Sequence, residues 1–256
     1  MSYALGKTVF ENWFLAAEAD TAAYSGRIVA ARDLTRRSVA SANHVDLRET
    51  AASYQAAAAV REAFFGNAAM AKQQADEALN LSKGKDVVYF STLALAVAGD
   101  HVKGLGLVDE LARQFPKDTQ VQFNYLPALR ARLAILRRDS AKAIKELQTS
   151  TPYELGSEGS ASAINVSLVP VYVRGEAFLA SRHGKEAAAE FQKILDHRGI
   201  VLNSPIGALA RLQLGRAFTI EGRKRTGARS RTRGFSQAKS RRPAISEYEP
   251  SLECLL

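Results

Sequence analysis

The sequence predicts an all-α chain, a right-handed superhelical stack of antiparallel helical hairpins followed by a disordered basic C-terminal tail. Three observations carry this. Alanine is abundant and runs together, as in Ala56-Ala57-Ala58-Ala59 and Ala187-Ala188-Ala189; it loses no side-chain entropy in a helix and lets two helices approach closely. The Val/Ile/Thr alternation that marks strands is almost absent. Amphipathic segments of helical period recur along the chain, separated by glycine and polar stop signals.

The pattern places helices near 8–25, 27–42, 45–65, 67–81, 85–98, 100–114, 118–137, 139–149, 162–182, 184–196 and 204–221. Ser82-Lys83-Gly84 and Gly99-Asp100 carry stop signals between helices. Phe115-Pro116-Lys117-Asp118 ends one helix and offers a cap for the next, and Asp139-Ser140 offers another. The stretch from Thr149 to Ser160 reads as a loop by its Pro, Gly and Ser content. Gly66, Gly99, Asp139, Gly184 and Gly222 mark turns at uneven intervals, so the repeats are irregular.

Spacing within the hairpins is more specific. In 168–195, Gly175, Phe178, Ala187 and Phe191 stand at positions 8, 11, 20 and 24 of the unit. This resembles the tetratricopeptide repeat of about 34 residues, where small residues mark the close crossing of helices A and B and bulky ones fill the gap beside it. Ala131, Ala134, Ala143 and Leu147 repeat the spacing, as do Gly104 and Val108 after the turn at Gly99. Gly215 and Phe218 are spaced like Gly175 and Phe178 and open a further hairpin. Residues 1–222 thus form five to six hairpins, the last incomplete.

After Gly222 the chain changes character. Residues 223–256 hold nine Lys or Arg against three Glu, so six of the nine net positive charges lie there. Where the next helix should carry Ala and a bulky apolar residue, the sequence has Gly227 and Arg231. A genuine tail and a shifted reading frame both fit. Either leaves the helix at 204–221 without its partner, which predicts lowered stability or self-association at that end. Nucleic-acid contact through the tail would be nonspecific, since only Phe235 and Tyr248 are available for stacking.

No apolar run is long enough for a transmembrane helix, and Lys7 and Glu11 interrupt the N-terminal apolar stretch, which argues against a signal peptide. The single Cys254 excludes an internal disulfide framework. A cytoplasmic location follows as the expectation. The four histidines, His44, His101, His183 and His197, lack metal-ligand spacing and read as surface or capping residues. No cofactor or metal is expected, and no catalytic constellation is found. The expected function is therefore binding of a protein or peptide on the concave surface formed by the A helices. Tyr125 and Tyr172 are the candidate aromatic contacts there. Arg130, Arg137 and Arg174 are the candidates for holding an acidic peptide, since arginine makes bidentate contacts to carboxylates.

The blocks VYVRGEAFLA and AAAEFQKILDHRGIVLNSPIGALARLQLGRAF resemble the repeat region that follows the catalytic domain in bacterial, notably acidobacterial, serine/threonine protein kinases of eukaryotic type. Similar regions follow winged-helix DNA-binding domains in some bacterial regulators. The resemblance covers roughly 8–222 and implies a docking or sensor module. The chain has no Gly-rich phosphate loop, VAIK-like lysine, HRD-like loop or DFG, so no kinase role attaches to any residue here.

Overall fold

The computed structural model describes residues 2–156 and 168–229, and all regular structure among them is helical. The helices are α1 (Ser2–Tyr24), α2 (Ile28–His44), α3 (Arg48–Phe64), α4 (Ala68–Leu81), α5 (Lys85–Val97) and α6 (His101–Gln114). They continue as α7 (Leu126–Leu136), α8 (Ser140–Leu147), α9 (Val169–Ala180), α10 (Gly184–Asp196), the single turn α11 (Arg198–Val201) and α12 (Pro205–Arg229). A π-helical turn, Val121–Tyr125, leads into α7. Pro127 explains it: proline has no N–H to give the carbonyl four residues back, and the wider register absorbs the gap.

The hairpin turns share one geometry. A residue with positive φ closes each of six helices: Gly26 (75°), Asp46 (57°), Gly66 (82°), Gly99 (83°), Arg138 (61°) and Arg182 (60°). The next residue's amide bonds back five positions, as in Asp100 N–H to the Leu95 carbonyl at 2.8 Å and His183 N–H to the Phe178 carbonyl at 2.8 Å. This is the Schellman arrangement, which satisfies carbonyls left over at a helix end. Gly66 and Gly99 mark turns as the sequence predicts. Asp139 sits one residue past its turn and caps α8, its carboxylate accepting the Lys142 amide at 2.9 Å. Asp100 and Asp118 cap in the same way. Gly184 is no turn residue: it is the first residue of α10, where a side chain would come within 2.7 Å of the Ala217 carbonyl of α12.

Packing follows sequence order in two layers. α2 lies against α1 and α3, α4 against α3 and α5, α6 against α5 and α7, α8 against α7 and α9, and α10 against α9 and α12. The odd-numbered helices from α3 to α9 also touch one another in succession, and α9 touches α12. These inner helices are buried on most sides: in α5 every residue from Val87 to Ala96 is buried. The outer helices bury one stripe, such as Ala71, Ala75, Ala78 and Leu79 in α4. An all-round apolar helix belongs inside and a striped one outside.

The positions of the repeat spacing pack closely. A side chain added at Gly175 would meet the Phe191 ring at 2.6 Å, and Ala131, Ala143, Ala187 and Phe191 are fully buried. Phe178 is half-buried against the same core. Gly215 and Phe218 depart from this. Gly215 is exposed with nothing near it, and Phe218 is 57% exposed, because no later helix covers that face among the described residues. α12 itself runs past the expected end near 221 to Arg229. Arg, Lys and Ala are strong helix formers, and Gly222 meets no clash inside the helix. Residues 230–256, and the expected helix start at 162–167, lie outside the described residues.

Candidate functional site

Burial decides which candidate residues can meet a partner. Tyr125 is 1% exposed. Its ring stacks on Tyr89 at 3.8 Å, and its hydroxyl donates to Asp86 at 2.7 Å. Tyr172 is also 1% exposed, edge-on to Phe64 and Phe191, and its hydroxyl accepts from Gln213 at 3.2 Å. Burial pushes the Tyr172 phenol well above its ordinary range, with nearby Glu176 adding to the shift. Neither ring is available as a surface contact. The inner helices lie against one another, so their aromatic residues fill the core instead of lining an open face.

Arg174 is likewise committed inside. It donates to Glu190 at 2.6 Å and to Glu154 at 2.9 Å, and Lys193 also pairs with Glu154. Burial disfavours the Arg174 charge, yet the two carboxylates hold its pKa above the ordinary value. Glu154 is fully buried and anchors the segment after α8, whose other residues from Thr151 to Gly156 are exposed; residues 157–160 of the expected loop lie outside the described residues. Arg132 is bound to Glu176 at 3.2 Å.

Arg130 and Arg137 are brought together at the surface. Both are exposed, Arg130 on α7 and Arg137 at its C-terminal cap, and they line a cleft of about 430 Å³ between α6 and α8. Val108, Leu133 and Ala134 form its apolar floor, with Leu105 partly exposed at its edge. α6 adds His101 and Asp109, and the α8 end adds Asp139, Lys142 and Glu146. None of these charged side chains forms an ion pair with another, although ten pairs occur elsewhere among the described residues. His101 is not the free surface residue expected: both ring nitrogens are shielded from solvent and have no hydrogen-bond partner. A shielded, unsatisfied imidazole is costly.

Asp109, Lys142 and Glu146 are the charged cleft residues that sequence reasoning missed, and His101 was read only as a surface or capping residue. The signal for His101 and Asp109 was the helical spacing of His101, Leu105, Val108 and Asp109 along one edge of α6, and Lys142 and Glu146 stand four apart on α8. His183 lies between the C-terminus of α9, where its amide meets the Phe178 carbonyl, and the first turn of α10, and its ring nitrogen meets the Ser181 hydroxyl at 3.0 Å.

No family model, curated protein or solved structure matches this chain. The functional reading therefore stands on geometry. Among the described residues no helix is long and apolar enough to cross a membrane, and no group of three or more His, Cys, Asp or Glu could hold a metal ion.

Proposed function

We propose that the chain is a non-catalytic protein-interaction scaffold of tetratricopeptide-repeat type, which binds a peptide or partner domain in the cleft between α6 and α8. The observation that carries this reading is the pair of exposed arginines, Arg130 and Arg137, set over an apolar floor with no ion pair among the described residues. Apolar contact supplies affinity, and placed charges supply orientation and selectivity. The binding surface is thus the outer cleft and not the inner helix faces. Self-association through the uncovered end of α12, where Phe218 is exposed, is part of the same reading.

Selection of a displayed random-peptide library on the full chain tests this. The expected result is a set of enriched peptides whose binding falls at least tenfold on the Arg130→Glu, Arg137→Glu double variant. Enriched peptides that bind that variant as well as the parent would place the site elsewhere.

The resemblance of residues 168–215 to kinase-associated repeats favours a second form of this function, a detached regulatory region acting beside a catalytic chain. A kinase or winged-helix domain encoded immediately upstream would support it, and unrelated flanking genes would count against it.

A further inference from the structure

The charges of the cleft are sorted along its length. α6 and α7 are antiparallel neighbours: a side chain added at Gly104 would lie 3.1 Å from Leu133. Counting along the helices from that contact sets His101 level with Arg137, and Val108 and Asp109 level with Arg130. α8 returns antiparallel to α7 from the turn at Arg138, so Lys142 lies at the Arg137 end and Glu146 at the Arg130 end. One end therefore gathers Arg137, Lys142 and the unsatisfied His101. Asp139 is its only carboxylate, and one oxygen of that group already accepts the Lys142 amide. The other end sets Asp109 and Glu146 around the single Arg130.

We infer that the cleft takes an extended peptide segment carrying an acidic and a basic residue about three positions apart, with apolar residues between them. This rests on the reading of the cleft as the partner site. The acidic residue lies among Arg137, Lys142 and His101; the basic residue lies between Asp109 and Glu146; the apolar residues cover Val108, Leu133 and Ala134. The spacing follows from the helix. Arg130 to Arg137 spans about 10 Å at 1.5 Å per residue, and three residues of extended chain cover the same length at about 3.4 Å each. A purely acidic segment would set one of its charges against Asp109 and Glu146, and like charges brought together in a contact are penalised. The unsatisfied His101 ring, and the lack of any ion pair among the charged cleft side chains of the described residues, fit a site whose charges are completed by the ligand.

The probes are three blocked decapeptides that share a central pair of apolar residues. The flanking residues are acidic and basic in the first, both acidic in the second and both basic in the third. Fluorescence anisotropy with the full chain should show the acidic–basic peptide binding about tenfold more tightly than either other. Arg137→Glu with Lys142→Glu should move the preference to the doubly basic peptide. Asp109→Lys with Glu146→Lys should move it to the doubly acidic one. These four positions are at the surface or partly exposed, and circular dichroism confirms that each variant folds. If the wild-type chain prefers the doubly acidic peptide and loses it on the Arg137, Lys142 substitutions, the sorted-charge inference is wrong while the cleft remains the partner site. If no peptide binds, or if the substitutions leave every affinity unchanged, both readings fall.

Discussion

Along α5 every residue from Val87 to Ala96 is buried, whereas along its neighbour α6 burial is confined to Gly104, Leu107, Val108 and Leu111. The two helices come from one hairpin and have nearly equal length, yet they answer different physical demands. An inner helix contacts others on most sides, so its polar groups must be satisfied within the protein. The stacked Tyr125 and Tyr89 rings and the bonded Tyr172 hydroxyl show this. An outer helix commits one stripe and leaves the rest to solvent or to a partner. The contrast separates the candidate residues: Tyr125, Tyr172 and Arg174 are held in the interior, whereas Arg130 and Arg137 are exposed beside α6 and α8.

The largest expected effect opens the seam between the layers, where Phe191 of α10 packs on α9. Phe191→Ala empties a fully buried site beside Gly175 and should cost about 3–5 kcal/mol. Leu105→Ala on the cleft edge should cost roughly 0.5 kcal/mol. Urea denaturation compares the two, and equal losses would contradict the contrast between the buried stripe and the exposed face of the outer helices.

Next in size is the buried Glu154 anchor after α8. Glu154→Gln leaves Lys193 unpaired and Arg174 with Glu190 alone inside the protein. Removing one member of a buried pair costs about 3 kcal/mol, which a drop in thermal midpoint would register.

A pH measurement sharpens the same comparison at α1. Asp20 is buried against Arg61, and burial outweighs the attraction of the guanidinium, raising its pKa to about 6. A carboxyl raised in the folded state adds stability at low pH, and that stability is lost as the pH rises through about 6. Asp20 should therefore make the chain more stable at pH 5 than at pH 7, and Asp20→Asn should remove that dependence. Asp118 works oppositely. Burial would raise its pKa, but the Lys85 bond and the Val121 amide hold it below the ordinary value. Its contribution is lost only in stronger acid. A variant at Asp20 with an unaltered slope between pH 5 and 7 would show that other groups set it.

The smallest effect lies in the outer layer: Asp139→Ala removes the cap of α8 and should cost about 1 kcal/mol.

Much of this architecture is legible in the sequence. The alanine runs, the capping aspartates and the Gly66 and Gly99 turns place the helices from α2 to α8 within a few residues of their observed ends, whereas α1 starts earlier and α12 ends later than expected and α11 was not expected. The turns at Asp46, Arg138 and Arg182 were not legible as such, because non-glycine residues there adopt the left-handed conformation that usually advertises itself through glycine. The burial of Tyr172 was written in its apolar surroundings, Val169, Val171 and Val173, which leave no polar face for a groove. The pairing of Glu154 with Arg174 was not, since it joins a polar segment to a helix twenty residues on. The cleft lay between these cases. Arg130 and Arg137 are visible one by one, but their meeting with Asp109 and Glu146 depends on how three helices align.

Hydrogen–deuterium exchange with and without a peptide selected on the chain tests the central claim most directly. If partners bind the outer cleft, protection should appear in α6, α8 and the Arg130–Asp139 segment, with α3, α5 and α9 unchanged. Protection centred on α3, α5 and α9, with α6 and α8 unaffected, would contradict the account and return the binding surface to the inner helices.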